Sequence, residues 1–122
     1  MIAKVADDFF KDEKLRGPFL AMTFESPRLY DIKIELAQMG ARDLEKDIVL
    51  EALRRNWIEL LLAKDEYLAD GDRSQFKTSW STVREAEWLR VIDTDANWAP
   101  DFQQGCAYEI KIMDTGRHFA RA

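Results

Sequence analysis

An α+β fold, with an antiparallel sheet of about four strands packed by one long helix and a short N-terminal helix, is predicted by three kinds of stretch in the sequence. From Asp43 to Ala69 the residues Leu44, Ile48, Leu53, Trp57, Leu60, Leu61 and Leu68 recur at three- and four-residue steps, which is one face of a helix. In Tyr30 to Leu36 and in Ala107 to Met113, apolar residues alternate with charged ones, as on a half-buried strand. Phe19 to Phe24 is an apolar run of strand length.

Taken in order, Ile2, Val5, Phe9 and Phe10 share the face of a first short helix, which Gly17-Pro18 closes. Phe19 to Phe24 then leads through the turn-forming Glu25-Ser26-Pro27-Arg28 into a stretch with two readings. Leu29, Ile32, Leu36 and Met39 fit a helix face ending at Gly40, while Tyr30, Ile32, Ile34 and Leu36 fit a strand. The strand reading pairs with the preceding run as a hairpin and gives the long helix a sheet to cover. That helix, capped by Asp43 and stopped by Gly71, is roughly 40 Å long, against a radius of gyration of about 14 Å for such a chain. Asp72 to Ser81 reads as a loop, Thr82 to Ile92 as a short helix running into a strand, and Asp93 to Gly105 as a second loop. Thr115 to Ala122 closes the chain as a basic tail.

The 122 residues suffice for a single domain, 1–122, with one core. With 47% hydrophobic and 34% charged residues the composition is globular, and a net charge of -5 speaks against nucleic acid as a partner, because phosphates demand a basic face. Cys106 is alone, so no internal disulfide or cysteine zinc cluster is expected. The opening MIAKVADDFFKDEK has no apolar run of signal-peptide or membrane length, and a cytoplasmic location without a membrane partner is expected.

Chemistry-bearing motifs are sparse. Asp93-Thr94-Asp95-Ala96-Asn97 starts like a calcium loop, but Trp98 stands where the turn needs glycine and Gln104 where a glutamate should bind. Pro100-Asp101 followed by Glu109-Ile110-Lys111 resembles the signature of the PD-(D/E)xK metal-dependent nucleases, at a spacing short for that family. His118 and Cys106 lie apart, and five scattered glycines form no phosphate loop. No catalytic, cofactor-binding or metal-ligating residue is therefore assigned, and no cofactor is expected. The interface candidates are Ile58 and Leu62, on a flank of the long helix that its main stripe does not use, and Trp80, Trp88 and Trp98, which flank the last strands.

The sequence of elements, with Arg90 to Asp95, Trp98 and Ala107-Tyr108-Glu109-Ile110-Lys111-Ile112, resembles the tail-terminator (tail-completion) proteins of long-tailed bacteriophages. The resemblance implies a non-enzymatic structural subunit that forms a homo-oligomeric ring, contacts other virion proteins and ends in the virion. Two rival expectations are a small acidic inhibitor or immunity-type protein that blocks a basic site on a partner, and a metal-dependent nuclease.

Overall fold

The computed structural model describes the backbone of residues 2–69, 72–100 and 106–120, and the side chains of residues 6–64, 78–100 and 107–119. Four helices come first: α1 (Ile2–Lys11), α2 (Glu13–Met22), α3 (Leu29–Gln38) and α4 (Glu45–Arg54). Strands β1 (Ile58–Ala69) and β2 (Asp72–Thr82) follow, then α5 (Glu85–Ile92), β3 (Cys106–Ile112) and α6 (Asp114–Ala120). The three strands form one antiparallel sheet in the order β2-β1-β3. The α+β class is the expected one, with three described strands rather than about four.

The predicted long helix from Asp43 to Ala69 is half helix and half strand. The division falls at Asn56, which has a left-handed φ of 58°. The Trp57 N–H donates to the Ala52 carbonyl at 3.1 Å and the Asn56 N–H to the Leu53 carbonyl at 3.0 Å, the paired bonds that close a helix through a left-handed residue. Asparagine is among the few side chains that tolerate this backbone, and the chain leaves it extended. Ile58, Leu60 and Leu62 then fall on one side of β1, opposite Ile112, Ile110 and Tyr108 of β3. Gly71, expected to stop the helix, lies outside the described residues.

The expected hairpin of Phe19–Phe24 with Tyr30–Leu36 is also helical. Phe19-Leu20-Ala21-Met22 contains strong helix formers and no β-branched residue, and it completes α2, whose N-terminus is capped by Asp12 through a 2.9 Å bond from the Lys14 amide. Pro18 lies inside α2 instead of ending it. Its missing amide costs the helix one bond, to a carbonyl on the turn of the exposed Lys14, where water can take its place. Meanwhile the next residues, Phe19 and Leu20, are fully buried.

In α3 the helical spacing of Leu29, Ile32 and Leu36 prevails over the alternation, for these three are fully buried whereas Ile34 is 38% exposed. The helix begins where Asp31 accepts the Arg28 N–H at 3.2 Å. It ends at Gly40, with φ 83° and bonds from Gly40 to Ala37 and from Ala41 to Leu36.

Later expectations change as well. Asp72–Ser81 is strand rather than loop, Trp88–Ile92 belongs to helix α5 rather than to a strand, and the described part of the basic tail belongs to α6. Within the expected loop 93–105, Asp95–Trp98 makes a 3-10 turn, and residues 101–105 lie outside the described residues. Helix α6 is held against Trp57, whose carbonyl accepts the Met113 N–H at 2.8 Å. A Cβ on Gly116 would lie 2.2 Å from that oxygen, so only glycine allows this approach.

The core gathers Phe9, Phe10, Phe19, Leu20, Ile32, Leu36, Ile48, Leu53, Leu60 and Ile110 with Val91, Ile92 and Trp98. Leu61 and Ala63 are buried as well but belong to no part of that cluster, because they point to the other side of the sheet. The helices thus cover one face.

Replacing Ile34 with Asp should change stability by no more than about 0.5 kcal/mol, whereas Ile32→Ala should cost about 2–5 kcal/mol in urea unfolding. At the helix-to-strand junction, Asn56→Gly should be tolerated and Asn56→Val should cost about 1–2 kcal/mol, since valine resists the left-handed backbone. Equal midpoints for those two variants would contradict this account of the junction.

Candidate interaction surface

The outer face of the sheet follows from register. On β1 the residues Glu59, Leu61 and Ala63 alternate with those that enter the core. Their neighbours are Lys111, Glu109 and Ala107 on β3, and Thr82 and Trp80 on β2, where Trp80 stands opposite Ala63. Two alanines side by side leave room above the pleat, and the indole of Trp80 reaches across it. Its Nε1–H donates to Glu109 Oε1 at 3.1 Å, a bond that joins the two outer strands over the central one.

Trp80 is nevertheless 57% exposed. The indole is held at its polar end while much of its ring faces solvent. Holding it there lowers the entropy lost on contact with a partner. It also shields Leu61 and Ala63, which are 8% and 6% exposed on a face that no helix covers among the described residues. Lys111 lies opposite Glu59, so those two charges oppose each other within the sheet.

Beyond Glu109 the surface continues into a hollow of about 650 Å³. Its wall comes from the end of α2, the turn into α3 and the first turns of α3, including Met22, Glu25, Arg28, Asp31 and Glu35. The turn is fastened to β3 by the Ile110 N–H, which donates to the Pro27 carbonyl at 2.9 Å. Arg28 is engaged by Asp31, with Nε 3.3 Å from the carboxylate. Among the described residues, four carboxylates therefore face one guanidinium, already paired.

A second hollow, of about 420 Å³, lies where α3, α4 and the 3-10 turn meet, with Lys33, Asp43, Glu45, Lys46, Asp95 and Trp98 around it. Glu45 is buried there, and one of its carboxylate oxygens has no hydrogen-bond partner. It opens α4, where the helix dipole favours a negative charge. Lys46 fills the middle of the calcium-like loop: its ammonium binds the Asp95 carboxylate and donates to the Asp93 carbonyl at 3.3 Å. Asn97 is turned back to the Val91 carbonyl at 2.8 Å. Among the described residues, no three acidic, histidine or cysteine side chains gather closely enough to hold a metal ion. Nor is any described helix long and apolar enough to cross a membrane.

The five interface candidates occupy different settings. Ile58 is in the core, and Leu62 is half-buried on the helix-covered side of β1 rather than on a helix flank. Trp98 is buried with its Nε1–H on the Ile92 carbonyl at 2.8 Å, and Trp88 is half-buried with its Nε1–H on the Val83 carbonyl at 3.1 Å. Trp80 alone of the five is largely open. Of the nuclease-like residues, Glu109 holds Trp80 and Lys111 shares its face, while Asp101 lies outside the described residues. His118 is exposed on α6, and the side chain of Cys106 lies outside the described ones.

Sequence reading does not find the roles of Glu109, Ala63, Ala107 or the carboxylates around the hollow. The small residues opposite Trp80 carry the missed signal, but it becomes legible only when residues 58–69 are read as a strand. No protein-family model, curated protein or solved structure matches the chain.

The Lys46 hydrogen bond, and then its charge, lower the Asp95 carboxyl below its ordinary value of 3.8. A lowered folded-state pKa means that the contribution of this contact is present above 3.8 and is lost as pH falls through the folded value. NMR titration should place the Asp95 midpoint below 3.8, and Lys46→Met should return it towards that value. A midpoint unmoved by that substitution would remove Lys46 as the cause.

Proposed function

We propose that the chain is a non-enzymatic assembly subunit that works by protein–protein contact through the outer face of its sheet. The observation that carries this reading is Trp80, which is 57% exposed and fixed by Glu109 above a shallow apolar floor. Aromatic side chains held in place on an open surface are characteristic anchors of interfaces, where truncating one costs about 2 kcal/mol or more of binding. Covering Leu61 and Ala63 accounts for one side of the indole, and the other side is left open to a partner. The likeness to tail-terminator proteins implies work of the same kind, in a narrower form that adds a ring of identical copies and a place in a virion.

The reading is tested by placing the photo-crosslinker p-benzoylphenylalanine at Trp80 and, as a control on the helical side, at the exposed Arg54, and irradiating the native host. Adducts of discrete mass are expected from position 80 and not from position 54. Masses at multiples of the chain's own would support the ring, and another discrete mass a different protein partner. Absence of any adduct specific to position 80 would refute this function for the face. Incubation with plasmid and single-stranded DNA in Mg²⁺ or Mn²⁺ should leave both intact; cleavage lost in Glu109→Ala would establish the nuclease instead.

A further inference from the structure

Resting on the proposed contact through this face, we infer that its occupant is a basic polypeptide segment, which crosses Trp80 and places an arginine or lysine in the hollow beside Glu109. Trp80 and the hollow form one continuous surface, because Glu109 both accepts the indole N–H and lines the hollow. The charges favour a cation. Among the described residues, Glu25, Asp31, Glu35 and Glu109 face Arg28 alone, and Arg28 already spends its Nε and one terminal nitrogen on Asp31.

The hollow of about 650 Å³ is large enough for a long side chain, and Met22 and Pro27 on its wall suit the aliphatic stem that carries such a charge. The exposed indole face can take a second cation from the same segment. An acidic peptide meets like charge here, and a second copy of this chain brings its own net charge of -5. Charge complementarity thus selects a heterologous basic segment over self-association at this face.

The probe is a fluorescent dodecapeptide alternating arginine and threonine, compared with peptides in which glutamine or glutamate replaces the arginine. Binding is read by anisotropy in low salt and in 0.5 M NaCl, the latter placing the Debye length at about 4 Å. The protein variants are Trp80→Ala, and Glu35→Gln combined with Glu109→Gln. The glutamine at position 109 keeps an oxygen for the Trp80 N–H while removing the charge, and Trp80 and Glu35 are exposed, so both variants should fold. Circular dichroism checks this.

The arginine peptide should bind at least about tenfold more tightly than the glutamine peptide, lose that advantage in high salt, and lose about tenfold in each variant. Equal affinity for the arginine and glutamine peptides, or arginine-peptide binding unaltered in both variants, overturns the inference. So does a concentration-dependent dimer that Trp80→Ala abolishes, since it assigns the face to a second copy. Crosslinking at position 80 together with failure of the arginine peptide leaves the contact function standing and rejects only the basic partner. Failure of both rejects the function as well.

Discussion

The left-handed turn at Asn56 is the constraint on which the rest of the structure depends. The stretch from Leu53 to Leu62 could continue as helix on the spacing of its apolar residues alone, and then no central strand would exist. Reversing the backbone at one residue ends α4 and delivers Trp57 at the foot of β1. Trp57 becomes the joint between layers: its ring meets Phe10 edge-on at 5.0 Å and Phe119 at 4.8 Å, while the Arg55 guanidinium lies 4.9 Å from it. Its carbonyl receives Met113 and the close approach of Gly116. One turn therefore fixes the first strand, the docking of the last helix and the register that both require.

From that register the outer face follows without further assumptions. With Ile58, Leu60, Ile110 and Ile112 under the helices, the alternation of a strand compels Leu61, Ala63, Ala107 and Glu109 to the other side. Ala63 and Ala107 would be a thin cover for a central strand. Trp80 supplies the missing area, and Glu109 supplies the one hydrogen bond that decides where the indole lies. The contact covers part of the outer face and presents an aromatic ring to solvent at the same time.

The α+β class and the strand expected at Ala107–Met113, observed as Cys106–Ile112, were legible in the sequence, because each depends on composition or on a period that one stretch expresses without competition. The boundary inside Asp43–Ala69 was not, since Leu60, Leu61 and Leu62 are consecutive and satisfy any period. The signal that decides it is Asn56, a single residue whose effect lies in its backbone angle. In α3 both periods are present. What separates them is which residues the rest of the chain covers, and only Leu29, Ile32 and Leu36 are fully covered. Trp80 was legible as an interface candidate, whereas Glu109 entered only through a nuclease-like pattern, because its partner stands 29 residues away on a strand that reads as a polar loop.

The distribution of charge separates the molecule into regions with different tolerance for change. On the helical side, Arg55 is bound by Asp7 at 2.7 Å and Glu51 at 2.8 Å and lies over Phe10 and Trp57, so removing any member disturbs packing as well as charge. Among the described residues around the hollow, Arg28 leaves most of the negative charge unmatched, at a place where water keeps that excess inexpensive until something displaces it. A surplus of like charge contributes nothing to folding. It can persist without harm only while hydrated, and it favours whatever cation replaces the water, which is why the same carboxylates that add little to stability define the chemistry of this surface.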